Sequence, residues 1–110
     1  MAQITFKPST ISAVHLKPEP FVGSVAVSGA PVTIAPTSGK TIQNIFIECN
    51  STIDPDNPNS TNDALQYSID GGTVYFTLMA GSNILLPGTF ANLKLDTNVD
   101  GTSYQVIVWS

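Results

Sequence analysis

Two runs of alternating residues meet at Asp70-Gly71-Gly72-Thr73, and this junction narrows the fold more than anything else in the chain. Leu65, Tyr67 and Ile69 share one parity, and Val74, Phe76 and Leu78 share another. Successive side chains of a strand point to opposite faces, so each run can turn one face to a core and the other to water or a second surface. The reversal is supplied locally. Glycine reaches positive φ without a Cβ clash, and an aspartate before it can accept hydrogen bonds from nearby amides. The stretch Leu65–Leu78 therefore reads as one β-hairpin.

The same punctuation runs through the rest of the chain. Gln3 to Lys7 and Ile11 to Leu16 are short extended candidates separated by Pro8-Ser9-Thr10, and Lys17-Pro18-Glu19-Pro20 forces extended geometry while removing two backbone donors. Residues 1–20 thus read as an N-terminal arm or edge strand. Phe21–Val27 and Val32–Ile34 follow as short strands. In Thr41–Cys49, parity sends Ile45, Ile47 and Cys49 inward and places Ile42 and Phe46 on the opposite face. Residues 50–63 are polar, with two prolines, and predict a long surface loop. Asn83–Leu86 forms a short run, Pro87-Gly88 reads as a turn, and Phe90–Leu95 carries Leu93 and Leu95 inward with Lys94 outward. The last run, Tyr104–Trp109, is apolar on both parities and predicts a central or doubly covered strand.

Many short strands, frequent turns and no helical periodicity predict a single all-β domain over residues 1–110. An antiparallel β-sandwich, jelly-roll-like or Greek-key, is the expected form, with a small β-barrel as the alternative. With 110 residues there is room for one modest core.

Composition excludes several partners. Four lysines and no arginine stand against eight acids, which argues against nucleic acid because phosphate contacts need clustered positive charge. No apolar run is long enough to insert into a membrane, and the start lacks the pattern of a secretion signal. Charged residues make up only 11% of the chain, less than half the ordinary fraction. Interface centres are depleted in charge, so the composition predicts a homo-oligomer or larger assembly. Ile42, Phe46, Tyr104 and Trp109 are the candidate interface residues.

Catalytic chemistry finds little to stand on. The one histidine, His15, has no local partner, the one cysteine, Cys49, ends a strand-like run and reads as a small buried side chain, and no nucleophile elbow or phosphate loop occurs. The sequence predicts no enzyme and no cofactor. Asp96-Thr-Asn98-Val-Asp100-Gly101 matches the opening of a calcium loop, with oxygen donors at alternate positions. The pattern then fails, since its twelfth position is Ile107, and an ordinary turn is the expectation. Tyr67, Tyr75, Tyr104 and Trp109 could offer an aromatic surface to a sugar, although the same residues also fill β cores.

The hairpin Leu65–Leu78, the following Ala-Gly-Ser-Asn-Ile-Leu-Leu-Pro-Gly88 and the terminal Tyr-Gln-Val-Ile-Val-Trp109 together resemble the C-terminal β module of small tailed-phage virion proteins. The resemblance covers residues 65–110 and rests on a rhythm of hairpins and turns. It implies a non-enzymatic decoration or cement protein on the capsid surface, bound to a major capsid protein and most naturally trimeric. Two alternatives go with it: a module of a phage fibre or surface protein that binds host glycan, and a head-to-tail or tail adaptor component.

Overall fold

The structure, a computed structural model, describes residues 16–50 and 64–110. Within them the chain forms β1 (Pro18–Val25), β2 (Val32–Ile34), β3 (Ile42–Cys49), β4 (Ala64–Ser68), β5 (Phe76–Met79), β6 (Asn83–Phe90), β7 (Leu93–Thr97) and β8 (Thr102–Trp109). These strands make two four-stranded antiparallel sheets, β1-β8-β3-β6 and β2-β7-β4-β5, packed into a β-sandwich. The pairing is nested: first strand with last, second with seventh, third with sixth, fourth with fifth. β8, apolar on both parities, lies between β1 and β3 as expected.

Alternation explains the core. Val25, Ile45, Ile47, Val106 and Val108 come from one sheet and Leu65, Leu93 and Leu95 from the other, and all are fully buried. Removing each such side chain from water contributes on the order of 1.5–3 kcal/mol. β8 lies over β4, β1 over β7 and β3 over β5. Between β1 and β8 the packing is close enough to require a glycine, because a Cβ at Gly23 would sit 2.9 Å from the hydroxyl oxygen of buried Tyr104.

The edges show how prolines fit a sheet. Lys17 and Ser110 exchange backbone hydrogen bonds at 3.0 and 3.2 Å, so by the alternation of an antiparallel ladder Glu19 and Phe21 also face β8. The nitrogens of Pro18 and Pro20 then lie on the open edge, where no donor is needed and where a missing donor discourages a further strand. Pro18–Pro20, read as the end of an arm or edge strand, is thus the start of the edge strand β1, and β1 ends at Val25, before Val27.

Several local expectations give way to the structure. Pro87-Gly88 does not turn the chain. It lies inside the edge strand β6, and the chain leaves for the other sheet at Ala91-Asn92 instead. Between the pairs Ile42↔Phe90 and Asn44↔Pro87, β6 advances one residue more than β3, and Gly88 takes a φ of 135° there. The dipeptide therefore makes a bulge, a deviation that an edge strand tolerates. The same register shift moves Ile42. Strict alternation set it beside Phe46 on the outer face, but it is fully buried, because the irregularity between Ile42 and Asn44 resets the parity. Tyr104 is also inward, on the same face of β8 as Val106 and Val108.

The hairpin keeps its centre but has shorter strands than its parity indicated. β4 ends at Ser68 and β5 begins at Phe76, with Leu65 opposite Leu78 and Tyr67 opposite Phe76. Residues 69–75 form the connection, with Gly71 and Gly72 at φ of 87° and 96°. Val74 falls outside the strand and Phe76 is half exposed at its end, stacked on Tyr67 with ring centroids 5.5 Å apart. Residues 1–15, most of the expected arm, and residues 51–63, nearly all of the expected long loop, lie outside the described residues, as does His15.

Candidate functional site

The outer face of the sheet β1-β8-β3-β6 gathers the apolar residues that the core does not use. Cross-strand partners line up in rows. The first row is Pro18, Trp109, Asn44 and Pro87; the second is Pro20, Ile107, Phe46 and Leu85; the third is Val22, Gln105, Glu48 and Asn83. The second row is apolar across all four strands. Val22 and Leu85 are 72% and 61% exposed, while Phe46, Ile107 and Trp109 are half-buried by their neighbours in the sheet. Among these three rows Glu48 is the only charged residue. Such a face has the charge depletion and aromatic content of an interface centre.

The structure thus brings together Phe46 and Trp109 of the expected interface residues and turns Ile42 and Tyr104 into the core. It adds Pro20, Ile107, Leu85 and Val22, which the sequence reading did not single out. A signal for two of them was present, since Ile107 shares parity with Trp109 and Leu85 alternates with Ile84 and Leu86. What parity could not supply was the register that aligns β1, β8, β3 and β6 on one row.

The calcium-like loop has a different use for its oxygens. Asp96 Oδ1 accepts from the Gly29 and Thr97 backbone N–H groups at 2.9 and 2.8 Å, and Asp100 Oδ1 accepts from Ser28 N–H at 2.8 Å. Asn98 Oδ1 accepts from Ala64 N–H at 2.8 Å. These side chains tie the β7–β8 turn to the β1–β2 turn and to the start of β4. Among the described residues, no three His, Cys, Asp or Glu side chains converge as a metal cluster.

Asp70 plays the part expected of a turn residue. Its Oδ1 accepts from the Ser68 hydroxyl at 2.7 Å and from the Thr73 and Val74 N–H groups at 3.1 Å each. The Ser68 hydrogen bond, followed by that from Val74, holds its carboxyl below the usual carboxylate range. The Ser68 hydroxyl in turn accepts from Gly72 N–H at 2.9 Å, so one carboxylate organises the whole connection.

Tyr67, Tyr75, Tyr104 and Trp109 do not assemble into one platform. Tyr67 and Tyr104 are buried in opposite sheets, whereas Tyr75 and Trp109 are half-buried, one beside the β4–β5 connection and the other on the outer face. Cys49 is buried at the end of β3.

What the fold and face define is a β-sandwich with one nearly uncharged, partly apolar outer sheet surface. Compared with protein-family models and with curated proteins, the chain finds no match.

Proposed function

We propose that this protein is a non-enzymatic structural component of a phage virion, which decorates or cements the capsid surface through oligomeric contacts with the major capsid protein and with copies of itself. The observation that carries this reading is the apolar row Pro20–Ile107–Phe46–Leu85, set in an outer face with a single charge. A face with one charge among its three rows favours repeated shallow contacts, and symmetry multiplies their effect through avidity.

The nested strand order supports the finer architecture. The sheet orders 1-8-3-6 and 2-7-4-5 favour the reading of an antiparallel ribbon rolled into a jelly roll, an architecture used in viral capsid and lectin domains. Fold analogy alone does not select a function. The choice of virion over lectin rests on the outer face, together with the burial of Tyr67 and Tyr104 away from any sugar platform. A trimer is the favoured assembly.

The test is co-sedimentation of the purified protein with phage procapsids and mature shells, beside light-scattering mass and a glycan-binding screen. Saturable shell binding by an oligomer supports the proposal. A monomer that binds neither shell form overturns it, and retention on glycans without shell binding replaces it with a host-surface role. Closed rings without shell decoration would point to a tail or head-to-tail adaptor.

A further inference from the structure

We infer that the first two rows on the outer face of β1-β8-β3-β6, apolar but for Asn44, are the docking site for residues 1–15 of a neighbouring copy of this chain. The inference rests on the assembly reading above and specifies which parts of two copies meet. Three features of the molecule select this occupant.

The first is size. Two rows across four strands cover roughly 19 by 14 Å, from the usual spacing between strands and along them. That is about 270 Å² in projection, well below the roughly 800 Å² per partner of a stable standard interface. The patch is too small to hold two folded domains together face to face. It does match a strand, because about six extended residues span its width. The five residues Gln3-Ile4-Thr5-Phe6-Lys7 span most of it when extended, and their alternation sets Ile4 and Phe6 on one side.

The second is where the described chain begins. Lys17 pairs with Ser110 one step beyond the Pro18–Trp109 row, so the chain joins the sheet at the apolar end of the face. Traced backwards from Pro18, it is already leaving its own rows. Fifteen further residues reach up to about 50 Å when extended, enough to lie across the next copy. An arm on one copy meeting a face on the next is a heterologous contact, which closes into rings such as a trimer.

The third is charge. Residues 1–15 contain Lys7 and none of the eight acids, so they carry +1 and leave −5 on the remainder of a chain with net charge −4. The only charge in the three rows is Glu48, two residues after Phe46 and on the same face of β3. A basic arm on an acidic body is complementary, and opposite charge steers such contacts.

Two full-length variants, Phe6→Cys and Leu85→Cys, test this when mixed under mild oxidation; native Cys49 is buried. A disulfide-linked pair containing one copy of each variant is expected, with its yield reduced several-fold when Lys7→Glu accompanies Phe6→Cys. Light scattering gives the second measurement: Phe46→Asp, on the sheet's outer side, is expected to lower the oligomer mass to that of the 11.6 kDa chain while the β-sheet circular dichroism is kept. The inference is overturned by an unchanged oligomer mass in Phe46→Asp, or by a disulfide that forms only when both cysteines are in one chain. Neither readout requires a shell. An oligomer linked through the arm that binds no capsid would remove the virion reading alone, and shell binding without cross-chain linkage would remove this inference alone.

Discussion

Replacing Gly23 by alanine sets two opposing effects against each other, and the structure decides the sign. Gly23 is not among the positive-φ glycines, so alanine can take its backbone conformation. Restricting the unfolded chain would then stabilise the protein by about 0.4–1 kcal/mol. Against this, the new Cβ would lie 2.9 Å from the Tyr104 hydroxyl oxygen and 3.2 Å from the ring carbon that bears it. Tyr104 is only 7% exposed and packed in the core, so its ring cannot swing aside without disturbing its neighbours. Overpacking of this kind costs about 1–3 kcal/mol. The net expectation is a loss of about 1–2 kcal/mol, which for a domain of this size lowers the melting temperature by about 4–8 °C. Urea and thermal unfolding followed by circular dichroism would measure it. Tyr104→Phe removes the nearest atom, so Gly23→Ala should cost less in that background, with a coupling of at least about 0.5 kcal/mol in the double-mutant cycle. A neutral or stabilising Gly23→Ala, or an equal loss in both backgrounds, would refute the close-packing argument.

Other consequences follow from the same geometry. Leu93→Ala, at a fully buried site, should destabilise the domain by about 2–5 kcal/mol in urea titrations. Asp70 is held below its unfolded carboxyl range, so its contribution to stability is fully present above about pH 5 and is lost as the pH falls through about 4 and below. Unfolding measured as a function of pH should show a shallower acid-side decline in Asp70→Asn than in the native protein. Asp96→Ala removes the acceptor of the exposed Gly29 amide and the part-buried Thr97 amide and should lower the melting temperature, with a cost of about 0.5–1.5 kcal/mol. Millimolar calcium should leave the melting temperature of the native protein unchanged, because the loop oxygens already accept backbone hydrogen bonds; a rise would show that they can be recruited by the ion.

The calcium-like loop and the outer face illustrate how far residue type alone can reach. Asp96, Asn98 and Asp100 have the composition of a cation site and of a turn, and only the positions of Ser28, Gly29 and Ala64 show which amides occupy them. Phe46 was legible as an outward apolar residue from parity, whereas Trp109 belonged to a strand apolar on both parities and stood among the candidates with Tyr104, which the fold turns inward. Leu85 and Pro20 acquired meaning only when register placed them in the same row.

Alternation and turn chemistry were sufficient to indicate an all-β sandwich, the central position of β8 and the inward set Ile45, Ile47, Leu93 and Leu95, because each leaves its mark on the apolar pattern of a single strand, whichever strands it pairs with. Asp70-Gly71-Gly72 was likewise readable as a reversal, since its hydrogen bonds reach no further than Ser68 and Val74. Tertiary structure decided the rest. The bulge opposite Ile42, the use of Pro87-Gly88 within a strand and the inward turn of Tyr104 all arise from pairing between segments far apart in sequence. A shift of one residue exchanges the two faces of a strand. For that reason the sequence could indicate that an apolar face exists, while only the register of four strands could show which residues compose it.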